Sequence, residues 1–274
     1  MKLIADSGST KTDWVLSGDN GVAAQFHTQG INPFHQSEED ILSILRQELV
    51  PQCGGQQVSS VMFYGSGVRP ELEPVMVRLL QHVFTQARVE AHGDLLGAAR
   101  AVCGHAAGIA CILGTGANSG LYDGCRIVGN TPPLGYILGD EGSGAVLGRR
   151  FLNRLYKGFL GDALVLDFEK FTGMSMADVI GRVYRQPMAN RFLASLSPFI
   201  GSHMDHAPVR QIVIDNFRDF FRSNIVQYQR PDLEVGFVGS IAFFYEEQLR
   251  EAAAAEGFRV GRILKSPIRS LADF

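Results

Sequence analysis

Asp6-Ser7-Gly8-Ser9-Thr10-Lys11-Thr12 decides the reading of this chain. It follows a short apolar run, Lys2 to Ala5, and precedes another, Trp14 to Leu16. It is therefore a turn between two strands. A tight bend of Gly, Ser and Thr directs several backbone N–H groups and hydroxyls into one concave space, and such nests hold phosphate oxygens with little net positive charge. Lys11 adds one cation. Asp6, at the strand end, faces a phosphate only through a cation, which points to Mg²⁺, an ion that takes one or two carboxylates and keeps several waters. Taken alone, the same residues also read as a polar β-turn in which Asp6 bonds its own backbone.

A second bend of the same kind, Gly114-Thr115-Gly116-Ala117-Asn118, follows the apolar run Ile109 to Leu113. Ser119 to Tyr122, an Asp123-Gly124 hairpin signal and Cys125 to Val128 come next. The first part of the chain reads βββαβαβα: after Val22 to His27 come a helix around Ile41 to Leu49 capped by Ser37, a strand from Val58 to Tyr64, a helix from Glu71 to Gln86, a strand from Val89 to Ala91 and a helix opening near Gly93 or Asp94. The second part repeats strand, Thr/Gly turn, strand, then carries helices over about 142–230. It closes with a strand Leu233 to Val238, a helix Ile241 to Ala255, a strand Arg259 to Ile263 and a short final helix. Two halves that open alike indicate an internal duplication, visible in pattern rather than identity. The boundary is expected near residue 105: 1–105 as the N-terminal domain, 106–274 as the C-terminal one with a helical insert.

Neither bend is a P-loop, and no G-x-G-x-x-G opens a helix after a strand, so a dinucleotide fold is disfavoured. Asp6 to Thr12 resembles the first phosphate motif of the sugar-kinase/actin/heat-shock ATPase superfamily. Gly114-Thr115-Gly116 resembles the second, and Val238-Gly239-Ser240, after an apolar strand, resembles the adenosine motif. Within the superfamily the whole chain is similar to the family that unites N-acetylglucosamine kinase with the ATPase activators of acyl-CoA dehydratases and reductases. The resemblance implies an α/β protein of two ribonuclease-H-like (actin-like ATPase) domains with a nucleotide cleft between them, ATP and Mg²⁺ as cofactors, and Asp6 at the metal. Gly8, Ser9, Thr10, Lys11, Thr12, Gly114, Thr115 and Gly116 are then expected near the phosphates, and Gly239 and Ser240 beside the adenosine.

A kinase must take a proton from the acceptor hydroxyl, and one well-placed carboxylate suffices. Asp94 in His92-Gly93-Asp94-Leu95-Leu96-Gly97-Ala98-Ala99-Arg100 lies just after a strand and at the start of a helix. It reads either as a helix cap or, by the resemblance, as the catalytic base. Gly139-Asp140-Glu141-Gly142-Ser143 places two carboxylates before a helix, again a cap by itself. The resemblance assigns Asp140 to sugar hydroxyls, together with Asn32, Asn118 and Thr115. Amides and carboxylates suit a polyhydroxylated ligand because each makes several hydrogen bonds.

Over 274 residues, 46% are apolar, 19% are charged and the net charge is -3. Two cores are affordable, and no basic footprint for nucleic acid is present. No apolar run reaches the roughly 20 residues a membrane helix needs, and the N-terminal apolar run is too short for a signal peptide, so a cytoplasmic protein is expected. Cys53, Cys103, Cys111 and Cys125 match no common zinc spacing, the seven histidines show no ligand spacing, and Trp14, Phe217, Phe220 and Phe221 read as core. The expected substrate is a small amino sugar, such as N-acetylglucosamine, N-acetylmuramic acid or glucosamine, and the family suggests a homodimer. The other branch of the family supplies the alternative, an ATPase that shares an iron–sulfur cluster across a dimer, here through Cys103 and Cys111. A non-catalytic sugar sensor on the same fold is a third reading.

Overall fold

In the computed structural model, which describes all residues except Ser9, Asp19 and Asn20, the chain divides into two compact units. The first comprises Met1–Ala106, Gly124–Arg126 and Ser266–Phe274; the second comprises Ala107–Asp123 and Ile127–Lys265. The expected boundary near residue 105 differs from this division at two places. The terminal segment returns to the first unit because the helix Ile268–Ala272 buries Ile268 and Leu271 there, packed against the first two strands and the helix Asp94–Cys103. The tip 124–126 also falls with that unit.

The first unit contains strands β1 (Lys2–Ser7), β2 (Lys11–Gly18), β3 (Gly21–Gln29), β4 (Ser60–Gly65) and β5 (Arg88–Gly93), in sheet order β3-β2-β1-β4-β5. β1 to β3 form an antiparallel meander, and β1, β4 and β5 run parallel. The second unit contains β6 (Gly108–Leu113), β7 (Ala117–Tyr122), β8 (Ile127–Gly129), β9 (Glu234–Val238) and β10 (Arg259–Leu264), in order β8-β7-β6-β9-β10. Its pairing has the same signs: β6 to β8 antiparallel, and β6, β9 and β10 parallel. The duplication read from turn composition is thus a duplication of topology.

Local chemistry explains the elements. Ser37 caps Glu38–Ile44 with a full capping box, its side chain accepting from Asp40 N–H while the Asp40 carboxylate accepts from Ser37 N–H. The helix Glu73–Val83 buries Met76, Leu79 and Leu80, the stripe that a 3.6-residue period predicts. One expected helix divides: Ile241 to Ala255 is Ser240–Phe244 followed by Glu246–Ala255. The break at Tyr245 buries that ring and lets its hydroxyl donate to Ser197 O at 2.6 Å. Such a tertiary demand is invisible to periodicity.

Each unit has its own core. Trp14, Phe63, Leu3, Met76 and Leu80 pack in the first, where Trp14 Nε1 donates to Thr28 Oγ1 at 3.0 Å. Phe151, Phe168, Phe199, Phe217, Phe220, Phe221 and Phe237 fill the second. Among the described residues no helix is long and apolar enough to cross a membrane.

Candidate active site

In the first unit the candidate side chains Asp6 and Asp94 lie where β1 and β5 end, on either side of β4. Cross-strand register aligns His27, Asp13, Asp6, Tyr64 and His92 in one row over five strands. Side chains at one register position share a face of the sheet, so Asp6 lies between Asp13 and Tyr64. Lys11 Nζ and His27 Nδ1 both reach Asp13 Oδ1, and Arg100 Nη1 donates to the buried Tyr64 hydroxyl at 2.6 Å. His92 Nδ1 lies 3.3 Å from Glu73 Oε1. Burial pushes the Asp6 carboxyl up to about 7; the Asp94 and Asp13 carboxylates push the same way and Lys11 opposes them.

Asp94 is the first residue of the helix Asp94–Cys103, and the N-cap is Gly93. The Asp94 carboxyl therefore does not occupy the capping position. It is raised above the usual carboxylate range by burial, against the pull of hydrogen bonds from the N–H groups of Leu95 and Asp94 itself. Asp6 and Asp94, 88 positions apart in sequence, lie at the same end of the sheet on either side of β4, and the Asp94 carboxylate helps to raise Asp6.

The first bend has an inner and an outer side. Gly8 N–H donates to Lys11 O at 3.0 Å and closes the turn, and Thr10 is exposed. Thr12 is buried, with Oγ1 2.7 Å from Ser7 Oγ and donating to Gln29 O at 3.1 Å. It braces the bend from beneath, and its hydroxyl is directed at the protein's own backbone rather than at a ligand. Ser9 lies outside the described residues. Asn32 lies against Gly67: a Cβ at Gly67, whose φ is +78°, would sit 2.1 Å from Asn32 Oδ1. That oxygen accepts from Phe34 N–H at 3.0 Å.

The second unit assembles a matching group. The helix Gly144–Tyr156 docks its start on the second bend, Gly144 N–H donating to Gly114 O at 2.8 Å and Ala145 N–H to Thr115 O at 3.2 Å. Ser143 caps that helix, accepting from Val146 N–H at 3.2 Å. Asp140 has φ +55°, a left-handed conformation rare outside glycine and concentrated at functional sites. Its Oδ2 would lie 3.1 Å from a Cβ at Gly116, so the glycine makes room for the carboxylate. Burial raises the Asp140 carboxyl, the Ala117 N–H lowers it and Glu141 raises it. Thr115 is exposed, and Asn118 Oδ1 accepts from Ser119 N–H and from Asn130 Nδ2, each at 2.9 Å. Gly239 follows β9 with φ +121°, and a Cβ there would meet the Leu113 carbonyl oxygen at 2.2 Å, which brings Gly239 and the exposed Ser240 beside the second bend. Gly239→Ala is expected to destabilise the protein by at least about 2 kcal/mol, since backbone must move and a strained φ must be held. Thermal denaturation checks it.

Sequence reasoning missed Asp13, Tyr64 and Arg100. Once the hairpin register is known, Asp13 follows as the residue facing Asp6; Tyr64 and Arg100 carry no motif. Among the described residues no cluster of three or more His, Cys, Asp or Glu is disposed to hold a metal.

Two sheets of one topology, each with a small-residue bend after its first strand, define the sugar-kinase/actin/heat-shock ATPase superfamily. No family model matches the chain, and no curated protein matches it. Among solved structures, a Porphyromonas gingivalis protein with an attributed N-acetylglucosamine kinase activity is 47% identical, with a TM-score of 0.96 over 100% of this chain and 98% of that one. A Chromobacterium violaceum protein with the same attribution is 18% identical, with a TM-score of 0.73 over 99% and 96% of the two chains. A Thermus thermophilus ROK hexokinase, 15% identical with a TM-score of 0.60 over 98% and 96%, shares the fold. The chain belongs to the N-acetylglucosamine kinase family.

Proposed function

We propose that this protein is an ATP-dependent kinase that phosphorylates a hydroxyl of an amino sugar, with N-acetylglucosamine, N-acetylmuramic acid and glucosamine as the substrates to test. The observation that carries the reading is the placement of Asp6 on β1 and Asp94 just beyond β5 at the same end of one sheet, with β4 between them, in a chain 47% identical to a protein of attributed N-acetylglucosamine kinase activity.

Asp94 accepts the proton of the attacking hydroxyl as its oxygen bonds to the γ-phosphorus and the bond to ADP breaks. A carboxyl raised by burial is a better base near neutral pH than an ordinary one. The backbone N–H groups of the bends at Asp6–Thr12 and Gly114–Gly116 hold phosphate oxygens. Asn32, Asn118, Thr115 and Asp140 hold sugar hydroxyls, and Gly239 and Ser240 border the adenosine. Burial raises Asp6, with the Asp94 and Asp13 carboxylates adding to it; a cation relieves such an environment, and Mg²⁺ at Asp6 would neutralise phosphate charge.

The iron–sulfur alternative needs exposed thiolates. Cys111 is wholly buried in the core of the second unit, which disfavours it as a shared ligand.

A coupled ADP-release screen over N-acetylglucosamine, N-acetylmuramic acid, glucosamine and glucose tests the proposal. ADP is expected only with an amino sugar present. Equal release without sugar, or a stoichiometric brown cluster in anaerobically purified protein, would overturn it.

A further inference from the structure

Ser66 stands at the tip of β4 in the Gly65-Ser66-Gly67 bend. Its N–H donates to Ser7 O at 2.8 Å, but its Oγ is shut off from solvent and has no hydrogen-bond partner among the described residues. A buried hydroxyl left unpaired costs about 1–3 kcal/mol, and such groups are rare enough in folded proteins that each requires an explanation.

Its position supplies one. Gly65 pairs with Ser7 on one side and Gly93 on the other. Ser66 is thus one residue beyond its strand in the same register as Asp94, which is one residue beyond Gly93. The C-terminal ends of parallel strands are where open α/β sheets bind ligands. On the far side of the bend, Gly67 lies in contact with Asn32, and Val68 O closes over Gly93, 3.1 Å from where a Cβ would be. Ser66 is therefore placed by backbone register beside Asp94, the residue assigned to proton removal, and is followed by Gly67, which touches Asn32, a residue assigned to the sugar.

We infer that Ser66 is a further substrate-contacting residue, its Oγ exchanging a hydrogen bond with a sugar hydroxyl held beside Asp94. A serine hydroxyl both donates and accepts, which matches another hydroxyl. This inference rests on the kinase reading above. It also explains why the site keeps an unpaired group in the free protein: the sugar is the missing partner.

Ser66→Ala and Ser66→Gly separate the possibilities. In both, KM for the amino sugar is expected to rise roughly three- to tenfold, the worth of one neutral hydrogen bond. KM for ATP stays within twofold, and the Tm of the free protein stays the same or rises, since an unpaired group has been removed. The Tm increment produced by the sugar shrinks. Turnover with an unchanged sugar KM and an unchanged sugar-induced Tm increment would overturn the role of Ser66 and leave the kinase intact. A steep fall in the free-protein Tm of both variants would mark the hydroxyl as structural and overturn it too. If the wild-type protein shows neither turnover nor a Tm increment with any amino sugar, the kinase reading and the Ser66 contact fall together.

Discussion

Asp94→Asn is expected to lower kcat by about 10²–10⁴-fold, the usual contribution of a general base, while ATP binding is retained. The amide keeps the shape of the side chain and its place at the first turn of Asp94–Cys103 but cannot take the proton. Gly93 occupies the capping position, so a purely structural role for Asp94 consists of its charge near the helix start and the hydrogen bonds it accepts from the Leu95 and Asp94 N–H groups, which an Asn oxygen also accepts. That role predicts a small loss in Tm with near-normal turnover, and this result would remove Asp94 from the chemistry. A second readout follows from the geometry. Asp94 is one of the charges that push Asp6 up, so the variant should ionise Asp6 at lower pH. Isothermal titration with ATP and the pH dependence of Tm measure the two effects separately.

The second large effect is expected at Asp6. Its folded-state carboxyl is pushed up to about 7, against about 3.9 in an unfolded chain. The stability associated with its protonated form is fully present below the unfolded value and is lost as pH rises through about 7, because deprotonation then leaves a charge that is buried and, in addition, beside Asp94 and Asp13. Asp6→Asn removes that charge. Without metal, the variant should be more stable than the wild type at pH 8 and nearly equal to it at pH 4. Activity runs the other way: with Mg²⁺ and ATP, turnover should fall at least about 10²-fold, as expected when the phosphates are misplaced. Thermal denaturation at both pH values and a Mg²⁺ titration of ADP release test the pair. Matching stability curves together with an unchanged Mg²⁺ dependence would leave Asp6 without its assigned role.

The sites differ in how far the chain reveals them. The two bends, the first-turn acid at Asp94 and the pair Asp140-Glu141 are local patterns, and each residue's type and place after a strand can be read directly. The environment of Asp6 cannot. It depends on Asp94, which is distant in sequence, and on Asp13, whose partner is set by hairpin register. Thr12 shows the converse limit: it belongs to the motif by sequence, yet the hydrogen bond to Gln29 O and the contact with Ser7 direct its hydroxyl inward.

By itself the sequence determined the order of strands and the duplication, because hydrophobic period and turn chemistry act over a few neighbouring positions. The strand ends it did not determine, since Asp6, Ser7, Lys11 and Thr12, which read as turn, are drawn into β1 and β2 by hairpin pairing. Tertiary structure alone decided which carboxylates crowd together, which hydroxyl of the first bend is buried, that Ser66 is left unpaired and that the terminal helix packs on the first unit. These depend on register and packing between segments far apart in the chain, where no local rule operates.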